Sequence, residues 1–170
     1  MLSISRKTDY ALVALARLAQ HGLGSDCPLS SRMIADEFNL PLHQLMSILK
    51  QLQRGGLISS IRGPQGGYRL AVEPDRLLLM RIIELIEGPV KIAVCCEEDD
   101  EDACAACGLV PKCPVSSGIR WVNEQVHQLI SRFTLADLLK QQKSSRVIEL
   151  VVAGDKDLSS QAAVADLTVV

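Results

Sequence analysis

The segment LISSIRGPQGGYRLAV, residues 57–72, restricts the possible folds more than any other stretch of this chain. Two short, mainly apolar runs flank RGPQGG, whose proline and three glycines are typical of a turn, so the segment predicts a β-hairpin. Gly55 and Gly56 come directly before it and mark the end of a preceding helix. The fold must therefore accommodate a hairpin that follows a helix with almost no linker.

Two short helices joined by a tight turn are predicted immediately before the hairpin. Ser30 or Ser31 caps the first of them, and residues 39–41 form the turn. The second helix runs to about Arg54, and leucines at helical spacing form its predicted buried stripe: Leu42, Leu45, Leu49 and Leu52. Such a helix pair followed by a hairpin is a winged helix-turn-helix. The predicted fold class is therefore mainly α with a small β-hairpin wing.

The charge of this region favours a nucleic acid as its partner. No Asp or Glu occurs between Phe38 and Val72, although four Lys and Arg residues do. A partner with a phosphate backbone favours such a stretch, because every carboxylate would oppose the electrostatic part of binding. A chance run of charge on a solvated face would have the same composition. The charge therefore supports the motif and does not identify it alone.

The second helix and the wing supply the predicted DNA contacts. Gln44, Ser47 and Lys50 are expected nearest the bases in a major groove. Arg54 is expected on a phosphate, and Arg62, at the wing tip, in the adjacent minor groove or on its backbone. The complete predicted set is His43, Gln44, Ser47, Lys50, Gln51, Arg54, Arg62, Gln65 and Tyr68.

Further helices are predicted on both sides of this unit. One covers about residues 5–21, with Thr8 as its cap and Asp9 as its first-turn acid. Another, RLLLMRIIELIEG, is predicted to be capped by Asp75 and to stop at Gly88. TLADLL, residues 134–139, is expected to form a short capped helix.

A long helix beginning at Ser116 or Ser117 carries the predicted dimer interface. Its apolar residues recur at spacings of 3, 4, 3 and 4, which is a heptad seam: Ile119, Val122, Val126, Leu129 and Phe133. The seam would be buried best against its own copy, although a helix lying on its own domain would show the same pattern. Dimerisation is favoured, because two winged helices joined by a symmetric seam can bind two half-sites. The predicted architecture thus adds a long dimerisation helix to the winged helix-turn-helix.

Five of the six cysteines lie in CCEEDDEDACAACGLVPKC, residues 95–113, together with six acidic residues. Three chemistries suit such a loop: an iron–sulfur cluster, a zinc site, or a disulfide-forming redox switch. Cys104 and Cys107 have the spacing of half a tetrahedral zinc site, whereas an iron–sulfur cluster accepts irregular spacing. A disulfide is disfavoured in a reducing compartment, and the acidic run slows thiolate chemistry. Spacing alone leaves zinc and iron–sulfur open.

The chain resembles the IscR/NsrR-type winged-helix transcription regulators over about residues 1–140. Three stretches carry the resemblance: LSISRKTDYALVALARLA, LMSILKQLQRGGLISSIRGPQGGYRLA, and IIELIEGP before the cysteine loop. Within that family, the pair Cys95-Cys96, the stretch CPVSSGIRWVNEQV and the closing TLADLL most resemble the branch that regulates the SUF iron–sulfur assembly system. The resemblance implies a homodimer of winged-helix domains whose cysteine loop holds an iron–sulfur cluster, [2Fe–2S] or [4Fe–4S].

The resemblance also implies which cysteines bind that cluster. Cys107 and Cys113 have the family's five-residue spacing, and Cys95 follows the Glu-Gly-Pro turn, as the first ligand commonly does. These three are therefore the expected ligands. Cys96 or Cys104 is an alternate or fourth ligand.

A fourth ligand from outside the cysteines differs between branches of the family. The IscR branch has a histidine three residues after the last cysteine, where this chain has Ser116, so that ligand is not available here. The nitric-oxide-sensing branch uses an acidic residue near the start of the first helix, given by the partner subunit. Asp9 occupies that position, although a first-turn acid also stabilises the helix dipole.

These inferences predict four parts of the chain. Residues 1–90 form the DNA-binding domain, 91–115 the cysteine loop, 116–142 the dimerisation helix with the short capped helix, and 143–170 an extension without a predicted role. The three scattered histidines and the absence of a phosphate-binding glycine loop argue against an enzyme. Lacking both a signal-peptide pattern and a membrane-length apolar run, the chain is expected to be cytoplasmic, with promoter DNA and its own copy as partners and no membrane or small-molecule substrate.

The predicted function is a homodimeric transcription regulator whose promoter binding is controlled by an iron–sulfur cluster, with iron–sulfur assembly genes as expected targets. The alternative is a winged-helix regulator with a structural zinc ion or a thiol–disulfide switch in the cysteine loop.

Overall fold

The computed structural model describes residues 4–22, 27–93 and 112–142 of the chain. Six helices and two strands occur in these ranges: α1 (Arg6–His21), α2 (Ser31–Phe38), α3 (Leu42–Arg54), β1 (Ile58–Ile61), β2 (Gly67–Leu70), α4 (Leu79–Glu87), α5 (Ser116–Ile130) and α6 (Leu135–Gln142). The order confirms the predicted fold class, a helix-turn-helix followed by a hairpin wing and a long helix. No helix of the described part is long and apolar enough to cross a membrane.

A single apolar core joins the helices to the hairpin. Its buried members come from α1, α2, α3, β1, β2 and α4, from the first residue of α6, and from the connecting residues Leu29, Leu57 and Leu77. Leu15, Leu49 and Ile82 are completely buried in its centre. Leu135 is 1% exposed, so α6 packs into the same core as the winged helix, although 47 residues separate it from the end of α4. The core therefore fixes α3 and the wing relative to each other.

The turn between α2 and α3 is set by Asn39. Its φ of 51° and ψ of 42° lie in the left-handed region, where Asn is tolerated better than most side chains. The Leu40 N–H donates to the Ala35 carbonyl oxygen at 2.9 Å, which closes the end of α2. Pro41 then serves as the N-cap residue of α3. The helix-turn-helix predicted from Asn39 and Pro41 is thus present.

The wing is a two-stranded antiparallel sheet that pairs Ile58 with Leu70 and Ile61 with Gly67. A third segment joins it at Leu29, which lies just before α2. The Leu29 N–H donates to the Tyr68 carbonyl at 3.0 Å, and the Tyr68 N–H donates to the Leu29 carbonyl at 2.8 Å. This bridge ties the wing to the helix-turn-helix.

Gly67 permits this bridge because its neighbours lie too close for a side chain. A Cβ at residue 67 would lie 2.4 Å from the Leu29 carbonyl oxygen and 2.9 Å from the Ser30 nitrogen. Both are backbone atoms, so Gly67→Ala must displace β2 or residues 29–30. We expect a loss of about 2 kcal/mol of folding free energy, because overpacking of this kind typically costs 1–3 kcal/mol.

Thermal unfolding followed by circular dichroism measures this loss, which corresponds to a fall in Tm of about 6 °C. Gly118→Ala is the control, because a Cβ there meets nothing within 4 Å and alanine favours the helix. Equal Tm values for the Gly67→Ala variant and the unchanged protein would contradict the close approach at Leu29.

Two local predictions, one about the cap of α1 and one about the buried stripe of α3, were wrong. Ser5, not Thr8, is the N-cap of α1, and its side chain accepts a hydrogen bond from the Lys7 N–H at 3.2 Å. Thr8 is instead completely buried inside α1. In α3 the buried stripe includes Ile48, whereas Leu42 is only partly buried.

Asp75 does not cap α4, because that helix begins at Leu79 with Leu78 as its N-cap. Residues 77–79 pair with residues 133–135 instead. The Leu79 N–H donates to the Phe133 carbonyl and the Leu135 N–H donates to the Leu77 carbonyl, both at 2.8 Å. This antiparallel bridge between Leu78 and Thr134 takes the place of the predicted first turn of α4.

Two predictions about the second half of the described chain can be compared with α5 and α6. The helix α5 begins at Ser116 as predicted, but it ends at Ile130, so Phe133 lies beyond it. The short helix α6 is capped as expected, since the Thr134 N–H and hydroxyl donate to Asp137 Oδ2 at 3.0 and 2.7 Å, and the Asp137 N–H donates to the Thr134 hydroxyl. The predictions for residues 143–170 lie outside the described residues.

Candidate nucleic-acid interface

The helix α3 has one buried face and one polar face. Leu45, Ile48, Leu49 and Leu52 form its buried face. The predicted contacts His43, Gln44, Ser47, Lys50 and Arg54 are exposed, and Gln51 is partly exposed. The core thus holds α3 by one side and leaves amide, hydroxyl and basic groups free on the other. A helix presented in this way can enter a major groove.

The basic groups of this face are not neutralised by acids within the described residues. Some basic side chains elsewhere do form ion pairs, such as Arg17 with Glu37 at 2.7 Å and Lys140 with Asp137 at 3.5 Å. Lys50, Arg54 and Arg62 form no ion pair within the described residues. Unpaired cations retain their attraction for an external phosphate, so this surface is electrostatically suited to a polyanion.

The wing places its tip beyond the core. Arg62 and Gln65 are exposed, and Gly63 has a φ of 129°, a backbone conformation that L side chains rarely adopt. Tyr68 differs from the other predicted contacts, because its side chain is partly buried and packs against the core. Tyr68 therefore contributes chiefly to the position of the wing, through its backbone bridge to Leu29.

The start of α1 lies beside α3. Its basic residues Arg6 and Lys7 were not among the predicted DNA contacts. A groove of about 580 Å³ is lined by Arg6 and Lys7 on one side and by His43, Gln44, Ser47 and Gln51 on the other. Two consecutive basic residues at a helix start were visible in the sequence. These two residues lie beside α3 because α1 packs against α3. No local sequence pattern reveals that packing. Arg6 and Lys7 extend the positive edge of the polar face.

Glu87, an exposed residue, also lines this groove. Its carboxylate oxygen Oε1 accepts hydrogen bonds from the Ser5 N–H at 3.3 Å and from the Ser5 and Thr8 hydroxyls. These bonds, those from the Ser5 and Thr8 side chains first, hold the pKa of Glu87 below its ordinary value near 4.5. The carboxylate joins the end of α4 to the start of α1 and partly neutralises the N-terminal end of the α1 dipole.

Thr8→Val is expected to lower the free energy of unfolding by about 1 kcal/mol at neutral pH, because a hydrogen bond to a charged group is lost. The loss is no larger because the carboxylate is solvated. A lowered pKa in the folded state stabilises the fold above the unfolded-state pKa, and this stabilisation is lost as the pH falls through the folded-state pKa. Removing one donor raises the folded-state pKa of Glu87, so the deficit of the variant should be larger at pH 7 than at pH 3.

Urea unfolding of both proteins at the two pH values measures this difference. In a Glu87→Gln background the effect of Thr8→Val should become independent of pH. A deficit that is equal at pH 7 and pH 3 in the presence of Glu87 would show that the hydroxyl does not stabilise the charged carboxylate.

Of the predicted cluster ligands, the described residues include Cys113 and Asp9. Cys113 is a free, partly buried thiol directly before α5, and its carbonyl accepts a hydrogen bond from the Ser116 hydroxyl at 3.1 Å. Asp9 is exposed on the first turn of α1. Cys95, Cys96, Cys104 and Cys107 lie outside the described residues. Within residues 4–22, 27–93 and 112–142 no group of three or more potential metal ligands is assembled.

The helix α5 has an apolar face that the described residues cover only in part. It contains no fully buried residue, and Val122 and Leu129 are 39% and 43% exposed. Phe133, just beyond the helix, is 42% exposed, while Ile119 and Val126 are partly buried. An amphipathic helix normally buries its apolar stripe, so this face is available to another surface.

Comparison with known proteins identifies related regulators. The model of the Rrf2 family, described as an iron-dependent transcriptional regulator, matches residues 4–141. The transcriptional regulator CymR of Bacillus subtilis strain 168 is 38% identical over 100 residues, which cover 58% of this chain and 70% of CymR. The transcriptional regulator IscR of Vibrio atlanticus is 26% identical over 158 residues, which cover 93% of this chain and 85% of IscR.

Solved structures show the same relationship. The structure of B. subtilis CymR, called the global cysteine regulator, superimposes with a TM-score of 0.60 at 32% identity and covers 83% of this chain and 98% of its own. T. potens IscR gives a TM-score of 0.57 at 29% identity and covers 86% and 92% of the two chains. These relatives are transcription regulators and not enzymes.

Proposed function

This chain belongs to the Rrf2 family of transcriptional regulators, and from that membership we propose that it is a homodimer whose affinity for promoter DNA is set by an iron–sulfur cluster. One observation carries the DNA-binding part of this proposal. The polar face of α3 and the start of α1 border one groove, and the cations of α3 and of the wing tip, Lys50, Arg54 and Arg62, have no ion pair among the described residues. Such a surface suits the major groove and its flanking phosphates.

Different parts of this surface make different contacts with DNA in the proposed complex. Gln44 and Ser47 are exposed in the N-terminal half of α3 and offer the hydrogen-bond donors and acceptors that recognise base edges. Arg54 at the end of α3, and Arg6 and Lys7 in the groove beside this helix, neutralise phosphates and fix the orientation of α3. Arg62 at the wing tip reaches the neighbouring minor groove.

The dimer follows from α5. Its exposed apolar residues Val122 and Leu129, together with Phe133, need a partner surface, and a second copy of the same seam provides one. Two copies of α3 would then lie on one side of the dimer and bind half-sites about one helical turn, roughly 34 Å, apart. Iron–sulfur assembly genes are the proposed targets.

The donor set of the cysteine segment, residues 94–113, fits an iron–sulfur cluster. Cys95, Cys107 and Cys113 supply three thiolate sulfurs, and Cys96, Cys104 or the partner's Asp9 completes the set. Cys113 is a free cysteine that is only partly buried by the described residues, as a thiolate ligand to iron must be. When bound, the cluster would supply a centre that responds to iron supply, oxygen or nitric oxide.

The second candidate is a regulator whose cysteine segment holds a structural zinc ion or forms a thiol–disulfide switch. Similarity to CymR favours the switch, because B. subtilis CymR is 38% identical over 100 residues and Staphylococcus aureus CymR has been solved in an oxidised form. Zinc would need four ligands, which the same cysteines supply. Iron and sulfide analysis of protein purified without oxygen separates these candidates.

Selection of a binding sequence from a random duplex library tests the DNA-binding part. The full-length protein, purified without oxygen, is expected to enrich a two-fold symmetric sequence with half-sites about one helical turn apart. The enriched duplex is the operator to which the binding of each variant is measured. Enrichment of an asymmetric single site, or of no sequence at all, would contradict the proposed dimeric regulator.

A further inference from the structure

Two side chains of α5 hold the backbone that leads into the cysteine segment. The Ile92 N–H donates to Asn123 Oδ1 at 3.1 Å, and His127 Nε2 donates to the Val90 carbonyl oxygen at 2.6 Å. Both hydrogen bonds are partly buried. Asn123 and His127 are four residues apart, so they lie one turn apart on the same face of α5. We call this pair the clasp.

The other end of the cysteine segment is fixed to the same helix. The Ser116 hydroxyl and N–H donate to the Cys113 carbonyl at 3.1 and 3.5 Å, where α5 begins. Ala93, the last described residue before the segment, directly follows Ile92 of the clasp. Both ends of the cysteine segment are therefore attached to α5, one through side chains and one at its N-terminus.

The winged-helix domain holds α5 at a second, different place. Just beyond the C-terminal end of α5, Thr134 forms a backbone bridge with Leu78. This bridge is flanked by Leu77, which is completely buried, and by Leu135, which is 1% exposed. This attachment consists of two 2.8 Å backbone hydrogen bonds beside the core, so it resists change more than the clasp does. The helix thus has a fixed point at one end and a polar attachment further along.

The distance between these two attachments determines how far α5 turns when the clasp moves. Asn123 lies seven positions before the end of α5 at Ile130, a distance of about 10 Å at 1.5 Å per residue. A displacement of about 1 Å at the clasp would change the direction of a lever of that length by about 6°. Because α5 also carries the proposed dimer seam, such a change alters the spacing of the two α3 helices.

We infer that Asn123 and His127 are positioning residues that transmit the state of the cysteine segment to the angle between α5 and the DNA-binding domain. The inference rests on the proposed function, because it names how that function is regulated. Neither residue is a predicted cluster ligand, and neither belongs to the proposed DNA-binding surface. The clasp acts only through the backbone of residues 90–92.

Paired variants separate the hydrogen bonds from the shapes of the side chains. Asn123→Leu with His127→Leu removes the acceptor and the donor. Asn123→Asp with His127→Gln is the matched control, because Asp retains the acceptor and Gln retains a donor at a similar reach. Operator affinity is measured for each protein with the cluster present and after its removal, together with iron content. Hydrogen exchange of the Ile92 amide is followed in the cluster-free protein.

The unchanged protein should show at least about a tenfold difference in affinity between the two states, and the leucine variant less than about threefold at equal iron content. The control variant should keep most of the difference. The Ile92 amide should exchange faster in the leucine variant, whereas the bridge amides of Leu79 and Leu135 should not change.

Three results would overturn the inference. If the leucine variant keeps the full difference, the clasp does not transmit the signal, although the proposed function stands. If the leucine and control variants lose binding equally in both states, the two residues are merely structural. If the unchanged protein itself shows no difference between states, the proposed function fails and the inference fails with it.

Discussion

Replacing Lys50 and Arg54 with glutamate is expected to lower operator affinity by about a thousandfold or more, because each lost basic contact costs about 1–3 kcal/mol and each protomer loses two. Both side chains are exposed on the polar face of α3 and have no ion pair among the described residues. The replaced cations would also leave carboxylates facing phosphates, in a stretch that naturally contains no acid. Folding should be unaffected, since neither side chain packs in the core.

Titration of the labelled operator at several salt concentrations measures this effect. The variant should show a weaker salt dependence as well as a lower affinity, because fewer counterions are released on binding. Arg76→Glu with Lys140→Glu is the matched control, since it changes the net charge equally at two exposed residues away from the interface. An equal loss in the control would show that net charge, and not the α3 surface, controls binding.

Replacing Val122 and Val126 with glutamate is expected to convert the proposed dimer into monomers of 18.5 kDa. These residues lie in the apolar face of α5, where Val122 is 39% exposed and Val126 partly buried in the single chain. Two charges per protomer in a symmetric seam face their own copies, so desolvation and repulsion act together. A monomer contacts one half-site, and loss of the linked second contact should reduce affinity by about a hundredfold to ten-thousandfold.

Sedimentation at micromolar concentration and operator titration measure the two consequences on the same samples. Ser117→Glu with Gln128→Glu introduces the same charges on the opposite side of α5 and should remain dimeric. Val122 and Val126 variants that sediment as dimers with unchanged operator affinity would exclude α5 as the dimer interface.

The winged helix was predictable because its local signals agree with its tertiary structure. Asn39 and Pro41 mark the turn, Gly55 and Gly56 end α3, and the hairpin follows at once. The capping pair of Thr134 and Asp137 was equally visible. Each of these features depends on residues within a few positions of one another, where turn and capping preferences decide the conformation.

The wrong predictions concern positions whose conformation is set by contacts with residues distant in the sequence. Thr8 was predicted as a cap, but Ser5 takes that role, and Thr8 turns inward to Glu87, 79 residues away. Asp75 has the right chemistry for a cap, yet the pairing of Leu78 with Thr134 delays α4 until Leu79. The clasp and the contribution of Arg6 and Lys7 to the interface were missed for the same reason. Side chains far apart in sequence have no periodicity that would reveal their contact.

The candidate site was therefore only partly predictable. The polar face of α3 and the wing tip follow from amphipathic spacing and turn chemistry, and the structure leaves their predicted residues exposed, apart from the half-exposed Gln51 and Tyr68. The cluster ligands rest on the cysteine pattern and on the resemblance, since Cys113 alone among the predicted cysteines lies in the described residues. Their assignment stays a prediction.

The measurement that tests the central claim most directly is an operator titration with one anaerobic preparation, before and after its cluster is removed, with iron and sulfide determined in the same samples. We predict matching iron and sulfide in the first sample and at least about a tenfold change in affinity on removal. The same change should be absent when Cys107 and Cys113 are replaced with alanine. Equal affinity in both samples, or a protein that contains zinc and no sulfide, would contradict control by an iron–sulfur cluster.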